Sequence, residues 1–241
     1  MMTDSTDLHI FAIGAHPDDI EFGVGAVLLQ EQSKGAEITL AITSQGEAAS
    51  HGTPAKRKTE ALTAAKLLGA EKRLHFLDFG GDGKQTTSPA NAAHLARLIR
   101  NSRPNIVFAP LPVANQHPDH AAVGQATRDA CRIARYAGFA PLRDLTAHTI
   151  DSLWFYSVAP LPERDLSAAI FIDVSDSLEA WKKLMVCHAT QTSARRYVEL
   201  QITTARQLGL LAGCEHAIAI WPNDPPVLSS IRPLAGAARS F

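Results

Sequence analysis

Short apolar runs alternate with longer amphipathic stretches along the chain. Leu8 to Gly14 (LHIFAIG) reads as a strand that stops at Ala15-His16-Pro17, because Pro17 biases His16 away from helical geometry. Gly23 to Ser33 reads as a helix, with Gly35 just beyond its end. Ile38 to Ile42 is a second strand, followed by a polar loop from Ser44 to Pro54. Ala55 to Leu68 then places Ala61, Ala65 and Leu68 at helical spacing before Gly69. Leu74 to Leu77 reads as a third strand. Ser88-Pro89 supplies an N-cap and a proline at the first helical position, for a helix to about Asn101. Pro104 introduces a strand at Ile106 to Ala109. A loop from Pro110 to Gln116 leads to His117-Pro118-Asp119-His120 and a helix to about Tyr136. Two further strands, Leu153 to Val158 and Ile170 to Val174, precede helices near Leu178 to Cys187 and Ala194 to Leu211. The proline-bearing tail from Trp221 onward reads as a surface wrap.

Strands separated by helices imply βαβ crossovers, hence an α/β fold whose mostly parallel β-sheet is flanked by helices on both faces. Sites in such sheets form outside the carboxyl ends of the strands. His16 follows the first strand, Ser44 to Glu47 follow the second, and His117 to His120 follow the strand at Ile106 to Ala109. All three loops are expected on one edge of the sheet.

Composition narrows the setting. Hydrophobic residues at 46% and charged residues at 20% suit a soluble globular chain, and the 241 residues allow one large domain or two small ones. A formal net charge of -1 argues against a nucleic-acid or anionic-membrane partner. The short basic clusters Lys56-Arg57-Lys58 and Arg195-Arg196 are explained by solvated helix faces. Cys131, Cys187 and Cys214 are scattered, without a Cys-x-x-Cys pair, and read as reduced thiols. Met1 to Asp7 is polar and acidic, unlike a signal peptide, and no apolar run has membrane-spanning length. A cytoplasmic location is expected.

Two clusters have ligand-like spacing: His16-Pro17-Asp18-Asp19 and His117-Pro118-Asp119-His120. Imidazole and carboxylate suit zinc, and also Fe2+ or Co2+, and a catalytic zinc site takes three protein ligands plus an open position. Taking His16, Asp19 and His120 as the metal set leaves Asp18 and His117 beside it. At such a centre the pKa of water falls from about 15.7 toward ~7 and a carbonyl is polarised, which suits amide hydrolysis. Asp18 then has the chemistry of a general base. His117 has that of an oxyanion stabiliser or an acid toward the leaving amine. Against this stands a plainer account, in which Asp19 and Asp119 cap helices and the His-Pro pairs make turns. Gly23-x-Gly25 lacks the third glycine of a nucleotide loop.

At these residues the chain resembles the LmbE/PIG-L-type deacetylase family, zinc enzymes acting on N-acetylglucosamine conjugates. The matching text is Gly14-Ala-His-Pro-Asp-Asp-Ile-Glu21, Thr43-Ser-Gln-Gly-Glu47, Arg57-x-x-Glu60, Leu67-Leu-Gly69, His117-Pro-Asp-His120 and, more weakly, Lys183 through His188-Ala-Thr-Gln191. The resemblance implies a single Rossmann-like domain over 1–241 and metal ligands at His16, Asp19 and His120. It further implies a base at Asp18, an acid or oxyanion-stabilising histidine at His117, and Asp119 orienting His117. Arg57 would face the substrate, with a surface helix charge as the alternative. The implied substrate is a small N-acetylated molecule, with amidase action on a larger conjugate or non-catalytic sugar binding as other readings. A homo-oligomer stays open. Two departures stand out: His216-Ala217-Ile218 where some members have Tyr-Ala-Glu, and Asn115-Gln116 where some carry a tyrosine. Tyr197 is a candidate to replace that tyrosine, with packing as its other reading.

Overall fold

The computed structural model describes residues 8–113, 117–158 and 166–238. Asn115 and Gln116, singled out above, lie outside them. The strands are β1 (His9–Gly14), β2 (Glu37–Ile42), β3 (Leu74–Phe76), β4 (Ile106–Pro110), β5 (Ser152–Tyr156), β6 (Ile170–Asp173) and β7 (Ala217–Pro222). They form one sheet in the order β3-β2-β1-β4-β5-β7-β6. β1 pairs in parallel with β2 and β4, and β4 pairs in parallel with β5. β7 runs antiparallel between β5 and β6.

β1 shows why the middle of the sheet is buried on both sides. Ile10 and Ala12 face one apolar layer while Phe11 and Ile13 face the other, as a period of two requires. The first layer holds α1 (Asp19–Gly23), α2 (Gly25–Ser33), α6 (Leu178–Met185) and α8 (Tyr197–Ala212), through Ile20, Leu28, Trp181, Leu184 and Ala205. The second holds α4 (Pro89–Ser102) and α5 (Pro118–Ala134), through Leu95, Ile99, Val123 and Ala126. Ser88 caps α4 as expected, its side chain accepting from the Asn91 N–H. The buried Arg100 donates to the carbonyls of Ala134, Leu142, Leu145 and Tyr136, so it secures the C-terminal end of α5.

Three expectations need correction. The helix drawn from Gly23 begins at Asp19 and breaks at Val24, whose φ of -138° is not helical, into α1 and α2, with a closely packed glycine on either side. A Cβ on Gly23 would lie 2.2 Å from the Tyr156 ring, and one on Gly25 2.8 Å from Leu184. The helix expected from Ala194 starts at Tyr197, as α8, and a separate short helix, α7 (Ala189–Thr192), precedes it. The segment around Trp221 belongs to β7, where Ala217 through Trp221 are buried between two neighbours. No helix among the described residues is long and apolar enough to cross a membrane.

Candidate metal centre

Strand order reverses between β1 and β4. β2 and β3 continue on one side, while β5 continues on the other. Loops leaving the carboxyl ends of two such neighbours diverge and leave a crevice. The two His-Pro-Asp loops are the ones that leave β1 and β4, so segments about a hundred positions apart in the chain meet at that crevice.

The local geometry of the first loop is held from within. Asp19 Oδ2 accepts the N–H groups of Ala15 and His16 at 2.9 and 2.8 Å, wrapping the turn around its own carboxylate. Asp18 is forced to φ 119°, a left-handed conformation that non-glycine residues rarely adopt. Arg57, on the buried face of α3 (Pro54–Leu67), braces it. Its Nη2 donates to Pro17 O at 2.7 Å and Asp18 Oδ2 at 3.2 Å, and its Nη1 donates to Gly46 O at 3.1 Å. Gly46 has φ +66°, and a Cβ there would sit 1.8 Å from that Nη1. Arg57 is thus neither a surface charge nor a free guanidinium.

Donor atoms of three residues converge in the crevice, Asp19 through both of its carboxylate oxygens. His16 Nδ1 lies 3.3 Å from His120 Nε2 and 3.4 Å from Asp19 Oδ2, and His120 Nε2 lies 3.1 Å from Asp19 Oδ1. Zinc with ligands at about 2.0–2.2 Å in a tetrahedron separates them by about 3.3–3.6 Å, so this triad fits one ion. His16, Asp19 and His120 form one group able to hold a metal; His16, His117 and Asp119 form another. Charge agrees with distance. Burial alone would lower the pKa of His16, but the Asp19 and Asp82 carboxylates overcome it and hold it at about 11. Asp19 is kept well below the usual carboxylate range, since His120 and His16 outweigh the opposing effect of burial. A cup in which carboxylates demand a positive charge is suited to a cation.

Around this triad, Asp18 is pushed up to about 7 by burial and by the neighbouring Asp19 charge, with Arg57 pulling the other way. His117 stands at the N-cap of α5, where its Nδ1 accepts the Asp119 N–H at 3.3 Å. The neutral ring therefore carries its proton on Nε2. Burial and the His16 and His120 charges hold the pKa of His117 below the usual histidine value.

Asp119 corrects an expectation. Its Oδ2 lies 3.1 Å from His16 Nε2 but 3.9 Å from His117 Nδ1, so the carboxylate's partner is His16. It also accepts from Gly83 N, Gln85 N and Gln85 Nε2. The loop after β3 that carries these groups has no ligand-like spacing and escapes the sequence reading, although Gly80-Gly-Asp-Gly83 after a predicted strand is a signal that could have found it. Its Asp82 places Oδ1 3.1 Å from His16 Nε2. Glu21 and His188 enter the sequence reading only through the family resemblance. They form a buried pair 3.4 Å apart, and the α7 residue Thr190 donates its N–H and hydroxyl to Glu60 of α3.

A cavity of about 480 Å³ opens over the centre. Its lining combines the polar His16, Asp18, Asp19, Asp82, His117 and His120 with the apolar or aromatic Phe22, Val158, Tyr197 and Leu200. Tyr197 packs its ring on Phe22 at 5.9 Å between centroids.

The profile of the PIG-L family, described as GlcNAc-PI de-N-acetylase, matches residues 11–131. The chain belongs to the PIG-L family. That span takes in both His-Pro-Asp loops, Arg57 and Asp82, so every residue of the triad and its surroundings from β1 to α5 lies inside it. PIG-L proteins are deacetylases, that is, amide hydrolases. The diacetylchitobiose deacetylase of Thermococcus kodakarensis is 27% identical over 194 residues, 76% of this chain and 69% of that protein. Among solved structures, the conserved protein TT1542 from Thermus thermophilus superposes with a TM-score of 0.81 at 26% identity, covering 92% of this chain and 97% of that one. GalB of Pseudomonas putida, a 4-carboxy-2-hydroxymuconate hydratase, has a TM-score of 0.78 at 20% identity over 92% of this chain and 99% of that one, and shares the fold alone. A fold shared with a hydratase does not choose the reaction, so the choice falls to the side chains in the crevice.

Proposed function

We propose that this PIG-L protein is a metal-dependent N-deacetylase, using zinc or a similar divalent ion to remove the acetyl group from an N-acetylated amino sugar or glycoside. The observation that carries the reading is the His16–Asp19–His120 triad, with donor atoms 3.1–3.4 Å apart beside an Asp18 carboxylate that is not itself in the triad. Those three residues would hold the ion. A bound ion of this kind acidifies water and polarises the acetyl carbonyl.

The chain's own residues supply the proton handling. Asp18 takes the proton of the attacking water and returns it to the leaving amine; an environment that raises its affinity for a proton suits both halves of that task. Arg57 keeps the Asp18 carboxylate in place through Nη2 and fixes the strained turn through Pro17 O. His117, its Nδ1 committed to the Asp119 N–H, donates from Nε2 to the oxygen that becomes negative in the tetrahedral intermediate. Tyr197, packed on Phe22, belongs to the cavity wall.

The test is an acetate-release screen of N-acetylglucosamine derivatives, run beside metal analysis of the purified protein and of Asp19→Ala and His120→Ala. Acetate release with about one ion per chain, lost in both variants, is the expected result. A cavity of about 480 Å³ exceeds what an acetyl group needs, so the panel includes longer acyl chains. Faster release of those would make the protein an amidase. Tight metal with no hydrolysis of any member would make it a binding protein.

A further inference from the structure

Gln85 is buried beside Asp119 at only 6% exposure, a place where an apolar side chain would be the plainer filling. Its amide nitrogen donates to Ala15 O at 3.1 Å and to Asp119 Oδ2 at 3.3 Å. Its amide oxygen accepts the Thr43 hydroxyl at 2.5 Å. The reversed amide would set its oxygen against two other acceptors, so the network admits one orientation. Both amide hydrogens and the oxygen are engaged, which is what keeps a buried amide from being a burden.

The ends of three elements meet on this one side chain. Ala15 follows β1 and precedes the ligand His16, Thr43 follows β2, and Asp119 lies in the first turn of α5 beside the ligand His120. Gln85 grips the Asp119 carboxylate twice, with its backbone N–H on Oδ1 at 3.1 Å and its amide on Oδ2. Gly83, at φ +77°, turns its own N–H onto Oδ2 at 2.6 Å. The same Oδ2 lies 3.1 Å from His16 Nε2, while Nδ1 of that ring belongs to the triad. A carboxylate held at both oxygens cannot turn away from the imidazole.

We infer that Gln85 is a positioning residue for the metal centre: it locks the Asp119 carboxylate against His16 and thereby fixes which nitrogen of that ring faces the ion. This rests on the metal reading proposed above. Gln85 is not part of the cavity lining, and its route to the centre runs through Asp119.

The experiment measures zinc affinity by chelator competition in the full chain, in Gln85→Leu, Thr43→Val, Asp119→Asn and Asp19→Ala, and in the double variant Gln85→Leu/Asp119→Asn. Urea unfolding of the metal-free proteins runs alongside. Gln85→Leu keeps the volume and removes the amide. Thr43→Val leaves the glutamine but frees its amide to turn, so it takes the place of Gln85→Leu if that variant fails to fold. The expected result is zinc binding about 10-fold weaker in Gln85→Leu. In the Asp119→Asn background the same change should alter affinity by no more than about 2-fold, because a residue acting through Asp119 has nothing left to hold. Unchanged zinc affinity in the folded variant, whatever its loss in urea, would overturn the inference and leave Gln85 to folding alone. An equal loss with and without the Asp119 carboxylate would overturn it too, by placing the action of Gln85 elsewhere. A wild-type chain that binds no zinc, or binds it as well after Asp19→Ala, would overturn the metal reading and this inference with it.

Discussion

Asp18 combines three features seldom found together: a left-handed backbone at φ 119°, a carboxyl raised to about 7, and a guanidinium within 3.2 Å. The backbone strain alone costs about 1–3 kcal/mol, and the Arg57 bonds to Pro17 O and Asp18 offset it. If Asp18 is the proton carrier, Asp18→Asn retains the metal and loses about 10²–10⁴ in kcat, read by acetate release on protein of verified metal content. Full activity in that variant would remove the assigned base. Arg57→Met should cost about 1.5–3 kcal/mol in urea unfolding, because carbonyls that held a charged donor lose it. It should lower kcat as well, since Asp18 is then unbraced. At this scale much of the candidate site is legible from sequence: the types and spacing of His16, Asp18, Asp19, His117 and His120 are enough to nominate them. The partner of Asp119 is not. From sequence the nearest histidine is His117, but at the start of α5 the Asp119 carboxylate points across to His16.

Helix α5 links the chemistry to the sheet. Its first turn carries Asp119 and His120, and its middle rests on β4 at Gly124, where an added Cβ would meet Pro110 O at 2.2 Å. That contact is with backbone and cannot be relieved by a rotamer change. Gly124→Ala should therefore push α5 off the sheet, destabilising the chain by about 1–3 kcal/mol in urea unfolding. It should also weaken metal binding by displacing His120, and an unchanged midpoint and metal content would show that the helix can shift freely. Most strands and helices up to β4 are readable to within a few residues because each has its own periodicity, and α3 and α4 also open on a capping side chain followed by a proline. β7 is not. Its run is short, apolar and followed by prolines, and only pairing with β5 and β6 distinguishes it from a tail.

For the molecule as a whole, the proposed ion binding would be linked to folding, because the triad unites segments that the unfolded chain keeps apart. A chelator should lower the thermal midpoint, and zinc at a hundred times its Kd should restore about 2.7 kcal/mol, or roughly 5–10 °C for a chain of this size. Identical midpoints with chelator and with zinc would argue against a site formed by folding. Local order along the chain is enough to predict alternating strands and helices, two His-Pro-Asp loops at strand ends and the chemistry of their side chains, since these depend on neighbours a few residues apart. The strand order β3-β2-β1-β4 comes only with the folded sheet, and it is what sets the loop after β3 against the loop after β1. Asp82 shares no ligand spacing with His16 and no pattern joins them in sequence, because a contact across a sheet edge is fixed by topology and packing.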